Sequence, residues 1–170
     1  MVNEKLNRAN LIKEIKQKSN PQKSKILSRF FKTARGEYGE GDVFLGITVP
    51  ESRKLAIKYS NLSFLDIQKL LENTYHEIRL IALLILVHKY QTLARQGITE
   101  GKRKEIVDFY LKNTKYINNW DLVDLSSHYI VGNYLLGRNR NIRLKLAKSK
   151  NLWERRIAIV STFAFIYKGE

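Results

Sequence analysis

The sequence predicts an all-α protein built from short, repeated helices. Apolar residues recur at helical spacing, first at Ile26, Leu27, Phe30 and Phe31, whereas no segment alternates apolar and polar residues as a half-buried strand does. The Asn-Gly signal of a tight β-hairpin is also missing. Apolar residues make up 44% of the 170 residues, which is enough for a globular core. We therefore expect one helical domain over residues 1–170.

Helix-start signals divide the chain into elements. Pro21 and Pro50 suit the first turns of two early helices, and Thr48 with Glu51 matches a capping box. Ser63 is a suitable cap for the next helix. The remaining helices are predicted over residues 76–91, 102–113, 120–136, 141–148 and 152–168.

Three of these helices begin in a similar way. His76, Trp120 and Trp153 are each followed by an acid and then by an apolar helix, at separations of about 44 and 33 residues. These separations bracket the roughly 40–47 residue period of HEAT-like repeats. We therefore expect a HEAT-like solenoid, an α-α superhelix, and not a closed four-helix bundle. Such a solenoid has a concave surface that suits an extended partner.

Charge and composition narrow the class of partner. Lys and Arg number 31 against 16 Asp and Glu, a net charge of +15 that favours a polyanion, most commonly nucleic acid. The absence of cysteine excludes disulfides and thiolate metal sites and fits a reducing cytoplasm. Residues 1–17 lack the apolar core of a signal peptide, and the apolar run 80–87 is too short for a bilayer. We expect a cytoplasmic protein without a membrane partner.

Residues 34–42 interrupt the helical pattern. Their glycines do not match a phosphate-binding loop, and the acids Glu37, Glu40 and Asp42 lack the spacing of a calcium loop. The segment is interpreted as a flexible connector. His76 and His88 have no ligand partners at metal spacing and are interpreted as ordinary helix residues.

The last predicted helix is apolar around nearly its whole circumference between Ile157 and Ile166, as a buried helix is. Trp153, at its start, is expected in the core for the same reason. The terminus of a solenoid normally carries a polar capping face. Either this helix docks on another chain, including a second copy, or the sequence is the front part of a longer protein.

The segment around Trp120 contains the strongest candidate site. Asn119 can cap a helix, and Trp120 and Asp124 then lie four residues apart on one face. An aromatic plane beside a carboxylate can hold a cationic group. From the residues alone, simple packing plus a solvated acid is the more common alternative.

Four segments together resemble a known family: residues 36–42, Phe44 to Arg53, Trp120 to Asp124, and Trp153 to Arg156. They are similar to the AlkD-like bacterial DNA alkylation repair proteins, HEAT-like glycosylases that remove alkylated purines. The resemblance covers essentially the whole chain. It also implies that the chain is the N-terminal portion of a longer domain, because full-length relatives continue with further repeats that supply another active-site tryptophan.

The resemblance implies roles for three residues. Asp124 would be the catalytic carboxylate, Trp120 the aromatic wall beside the lesion, and Arg156 the cation near the DNA backbone. The substrate would be double-stranded DNA carrying purines alkylated at N3 or N7, which are cationic. Asp124 would stabilise the oxocarbenium-like sugar or position water. No metal or cofactor is implied.

Further basic residues complete the predicted DNA interface. These expected contacts are Arg35, Lys115, Arg138, Arg140 and Arg155. Two alternatives remain open: a non-catalytic helical-repeat protein that binds distorted or branched DNA, as some relatives do, and a protein–protein scaffold.

Overall fold

The structure, a computed structural model, describes residues 6–97 and 100–169, and the elements of this described part are helices and helical turns. Its internal contacts divide the chain into two compact units, with the boundary between Ile85 and Leu86. The single domain over residues 1–170 stays a prediction. Residues 1–5 of the N-terminal segment lie outside the described residues.

The first unit contains four helices and the beginning of a fifth. They are α1 (Arg8–Gln17), α2 (Pro21–Phe30), α3 (Val49–Lys58), α4 (Phe64–Leu71) and the first half of α5 (His76–Arg95). Asn20 and Ser63 cap α2 and α4 with their side chains, as predicted for Ser63. The prediction of a capping box at Thr48 is wrong. The Thr48 side chain accepts no hydrogen bond from the first turn of α3, and the Glu51 carboxylate accepts one from the Lys18 ammonium instead.

The segment before α3 is fixed by a single carboxylate. Glu77, which is 2% exposed, accepts the backbone N–H groups of Leu45, Gly46 and Ile47 at 2.8–3.2 Å. Gly46 has φ +84°, and a Cβ there would lie 2.1 Å from the carbonyl oxygen of Asn20. The turn therefore requires glycine, since both the backbone conformation and the space exclude a side chain.

The prediction of a flexible connector over residues 34–42 is wrong for its last residue, Asp42. The Asp42 carboxylate is buried, and its two oxygens accept from Nδ1 of His76 at 3.0 Å and Nη2 of Arg79 at 2.5 Å. His76 is therefore not an ordinary helix residue, because its ring is buried and stacks on Phe44 at 4.5 Å. Buried charges of this kind persist only when they are paired.

The second unit continues with the rest of α5 and six further helices. They are α6 (Glu100–Lys112), α7 (Trp120–Asp124), α8 (Asn133–Leu135), α9 (Asn141–Ala147), α10 (Leu152–Val160) and α11 (Phe163–Lys168). A 3-10 turn covers Thr114–Tyr116, and a π-helical turn covers His128–Gly132. Helix α10 packs on α9, α7 and the π turn, and α6 packs on α8 and both turns.

Two long helices predicted here are interrupted. The predicted helix 120–136 breaks after α7, where the Ser126 hydroxyl donates to the carbonyl oxygen of Leu122. The predicted helix 152–168 breaks between α10 and α11, where Ser161 donates to Ile157 in the same i to i−4 pattern. Serine bonds of this pattern loosen a helix. The π turn after the first break also packs closely against the second break, because a Cβ on Gly132 would lie 2.4 Å from the Ser161 carbonyl oxygen.

The last two helices are apolar on both sides but packed on only one. Ile157 and Phe165 are buried, whereas Ile159, Ile166 and Tyr167 are 65%, 68% and 78% exposed. The outer side is therefore uncovered within the described residues, and Trp153 is half-buried, not fully in the core as predicted. Among the described helices, even α5 lacks an apolar stretch long enough to traverse a bilayer.

Candidate active site

The candidate site begins at the first turn of α7. The Asn119 side chain accepts the N–H of Trp120 at 2.8 Å, which confirms the predicted cap. Asp121 accepts the N–H of Leu122 at 2.8 Å, and its charge suits the positive end of the helix. Both polar side chains are buried, so the start of α7 has a fixed position.

The two candidate residues project from this short helix on the side away from the core. Leu122 and Val123 are fully buried and anchor α7, while Trp120 and Asp124 are only half-buried. Trp120 and Asp124 are four residues apart, the spacing that brings side chains together on one face of a helix. An aromatic ring and a carboxylate therefore reach the same patch of surface.

The Asp124 carboxylate forms a two-pronged ion pair with Arg156. Nε of Arg156 donates to Oδ1 at 2.8 Å and Nη2 donates to Oδ2 at 2.7 Å. The hydrogen bonds to Asp124 raise the pKa of the Arg156 guanidinium, which keeps it charged. This geometry fixes the carboxylate plane and gives the pair its specificity. Each carboxylate oxygen retains a further lone pair that can accept another donor.

Arg156 is positioned by the beginning of α10. Asn151 caps this helix by accepting the N–H of Trp153 at 2.8 Å, and Glu154 accepts the Thr114 hydroxyl at 2.7 Å. The next residue after Arg156, Ile157, is fully buried. Helix α10 is thus held at both its cap and its core side, which directs Arg156 toward α7.

A buried hydroxyl pair, missed by the sequence reasoning, supports α7. The Tyr110 hydroxyl lies 2.9 Å from Oγ of Ser126, and both side chains are fully buried. Burial raises the pKa of Tyr110 and keeps its hydroxyl protonated. Ser126 in turn donates to Leu122 in α7. The sequence contains a weak signal for this contact, since a tyrosine in an apolar helix requires a polar partner.

A family model described as DNA alkylation repair enzyme matches residues 11–170. The chain belongs to this family. The predicted resemblance is therefore confirmed at this level, and the match includes Trp120, Asp124 and Arg156. No curated protein and no solved structure matches the chain significantly.

Arg155 and Arg138 were also predicted to bind DNA in this member of the DNA alkylation repair family. Both donate hydrogen bonds to backbone carbonyl groups near helix ends. Nη1 of Arg155 donates to the carbonyl oxygens of Ser149 and Lys150, both at 2.9 Å. Nη1 of Arg138 donates to the carbonyl oxygen of Tyr134 at 2.6 Å. Cations at such positions satisfy carbonyl groups that a helix end leaves unpaired. Their contact with DNA stays a prediction.

The remaining three predicted DNA contacts have different surroundings. The Arg140 guanidinium lies 4.1 Å from the centroid of the Phe165 ring, and the Lys115 ammonium lies 4.8 Å from that of Tyr116. Arg35 lies in an exposed turn of the first unit. Of the predicted DNA-binding residues, Arg156 is the one that the structure joins to the candidate carboxylate.

Proposed function

We propose that the protein is a DNA N-glycosylase that hydrolyses the glycosidic bond of purines alkylated at N3 or N7 in double-stranded DNA. The observation that carries this proposal is the Asp124–Arg156 pair beside Trp120 on α7. A half-exposed carboxylate held in one orientation can face a developing positive charge without being buried itself. The family match supports repair of alkylated DNA in general.

The chemistry requires no activation of the leaving base. An alkylated purine is already cationic, so when the bond from C1′ to the base nitrogen breaks, the base leaves with the electron pair as a neutral molecule. The sugar becomes an oxocarbenium ion, and water then adds to C1′ and loses a proton to solvent. The Asp124 carboxylate stabilises this cation, as carboxylates do in sugar hydrolysis. Its free lone pairs can also orient the attacking water.

Trp120 and Arg156 assist in different ways. The Trp120 ring attracts the cationic base through its face, a contact that normal, uncharged purines do not gain. Arg156 orients the Asp124 carboxylate, and its remaining N–H groups can hold a DNA phosphate without reading sequence. We also propose that the helices stack as HEAT-like repeats and that the protein acts in the cytosol, as its basic, cysteine-free composition favours.

The test is base release from methylated duplex DNA. The protein should release 3-methyladenine or 7-methylguanine, measured by chromatography of the free bases. Asp124→Asn should reduce the rate about 100-fold or more, because electrostatic stabilisation of this kind typically contributes that much. Asp108→Asn is the matched control, since Asp108 pairs with Lys104 on the exposed surface of α6. Unchanged release by Asp124→Asn would remove Asp124 from the mechanism.

A second candidate function is binding of distorted or branched DNA without catalysis. It is favoured by the same ion pair, because Arg156 already occupies one lone pair on each Asp124 oxygen and neutralises much of its charge. This candidate predicts no base release, tighter binding to a four-way junction than to linear duplex, and affinity that falls steeply with salt as counterions are released.

A further inference from the structure

A cationic cleft lies within the second unit. It is formed by the end of α5, the beginning of α6, the π turn, α8 and the end of α11, with a volume of about 640 Å³. This size is within the range of sites for small ligands, about 300–1,000 Å³. None of the three residues Trp120, Asp124 and Arg156 lines it.

The cleft wall carries positive charge only. Arg95, Arg103, Arg138 and Lys168 line it, and no Asp or Glu is among its described lining residues. Outside the lining, Glu100 accepts from Nε of Arg138 at 3.0 Å and is 61% exposed. A cleft with walls of one sign concentrates counter-ions, so its natural occupant is an anion.

The proton of a buried hydroxyl at this cleft lacks an acceptor. Tyr90 lines the cleft and is 2% exposed. The Arg103 side chain, which can only donate, interacts with its hydroxyl oxygen, and no acceptor for the hydroxyl proton is found among the described residues. Nε of Arg103 is likewise buried and unpaired there. Burial raises the pKa of Tyr90 although the nearby charges of Arg103 and Arg138 oppose this, so the hydroxyl stays a donor. Unpaired buried donors are unfavourable, and a ligand oxygen would satisfy them.

Helix ends explain only part of this arrangement. Arg95 and Lys168 lie in the last turns of α5 and α11, where a cation is favourable without any ligand. Arg103 lies in the first turn of α6, where the helix dipole disfavours a cation. Neither Arg103 nor the Tyr90 hydroxyl is therefore accounted for by the helices alone.

The cleft is separate from the candidate active site. Asp124 lies at the end of α7, whereas the cleft residue that follows it most closely in the sequence is Tyr129 in the π turn. The predicted helix is interrupted at Ser126, so α7 and the π turn are different elements. The cleft and the candidate active site therefore share no lining residue.

We propose that this cleft is a binding site for the phosphate group of a small phosphorylated molecule, of about mononucleotide size. Arginine forks bind phosphate oxygens with two parallel bonds, and the Tyr90 hydroxyl and Nε of Arg103 supply further donors. The recessed Tyr90 hydroxyl favours a small ligand, because the backbone of a duplex meets exposed side chains first. The proposal does not depend on glycosylase activity.

The test is calorimetric titration of the whole protein with inorganic phosphate and, separately, with adenosine monophosphate. We expect saturable binding of one ligand per chain. Arg103→Gln should weaken this binding about tenfold or more and Tyr90→Phe about fivefold, as expected for loss of charged and neutral hydrogen bonds. Arg29→Gln, an exposed arginine of α2, is the charge-matched control and should bind as the parent does.

Further measurements separate the outcomes. Tyr90→Phe should change the melting temperature without phosphate by little, since it removes a buried hydroxyl whose proton has no acceptor, and should reduce the rise that phosphate causes. Absence of saturable phosphate binding would overturn the proposal. So would an Arg103→Gln variant that loses duplex DNA affinity as strongly as phosphate affinity, because the cleft would then be part of the DNA surface. Unchanged base release in both variants would support a separate site.

Discussion

Two aspartates of this protein are each held by an arginine, but in opposite surroundings. The side chains of Asp42 and Arg79 are 2% and 7% exposed, whereas those of Asp124 and Arg156 are 31% and 41% exposed. Full burial makes a charge dependent on its partners, since it cannot return to water. The first pair therefore serves the fold, and the second remains accessible to a substrate.

The surroundings of the two pairs reinforce this difference. Arg79 also donates to the carbonyl oxygens of Asn73 and Thr74, so the Asp42 pair fixes the chain before α5. Arg156 gives two parallel bonds to Asp124 on a neighbouring helix. Arg79 therefore holds backbone carbonyls in place, whereas Arg156 orients a carboxylate and keeps further N–H groups for another acceptor.

The largest expected effect tests this comparison directly. Asp42→Asn should lower the free energy of unfolding by about 3–5 kcal/mol, because it leaves Arg79 buried without a counter-charge. Asp124→Asn should lower it by less than about 1 kcal/mol, as expected for a solvent-accessible pair. Urea unfolding followed by circular dichroism measures both. Equal losses in the two variants would show that burial does not separate these pairs.

A smaller loss is expected from the carboxylate that holds the 45–47 turn. Glu77→Gln should lower the free energy of unfolding by about 1–3 kcal/mol, since an amide has one acceptor oxygen for three backbone N–H groups. Glu72→Gln on the exposed end of α4 is the matched control and should change stability by less than about 0.5 kcal/mol. Amide hydrogen exchange at Gly46 should accelerate in Glu77→Gln alone. Unchanged exchange there would contradict the proposed role of Glu77.

Local signals made much of the helical structure predictable. Ser63 and Asn119 cap helices as predicted, because a cap depends only on the next few residues. The breaks at Ser126 and Ser161 were not predicted, since they coincide with the close approach of Gly132 to Ser161. The spacing of apolar residues predicts which face of a helix is buried. It does not predict where contact with a neighbouring segment interrupts the helix.

The ion pairs between residues far apart in the sequence could not be predicted from the sequence pattern. Asp42 and Arg79 are 37 residues apart, and no spacing rule connects them. Asp124 and Arg156 are 32 residues apart and were associated only through the family resemblance. Trp120 with Asp124 was predictable because one helix carries both.

A loss of about 1 kcal/mol is expected when the support beneath α7 is removed. Tyr110→Phe deletes the hydroxyl that pairs with Ser126, one buried hydrogen bond. If this pair positions Asp124, the maximal rate of base release should fall severalfold while the KM for methylated DNA stays the same. Tyr167→Phe, 78% exposed on α11, is the control. A loss of stability without any change in rate would limit Tyr110 to a structural role.

The smallest expected effect concerns acid stability of the second unit. Hydrogen bonds from Ser149 and Thr114 hold the pKa of Glu154 below its ordinary value of 4.5. A carboxyl whose pKa is lower when folded stabilises the protein above the unfolded pKa, and this contribution is lost as the pH falls below about 4.5. Glu154→Gln should therefore reduce stability at pH 7 by less than about 1 kcal/mol and make the decline below pH 4.5 shallower. Glu105→Gln, at an exposed position of α6, should keep the parent's pH profile. If both variants lose stability in parallel with the parent down to pH 3, Glu154 does not link α10 to the 3-10 turn through its charge.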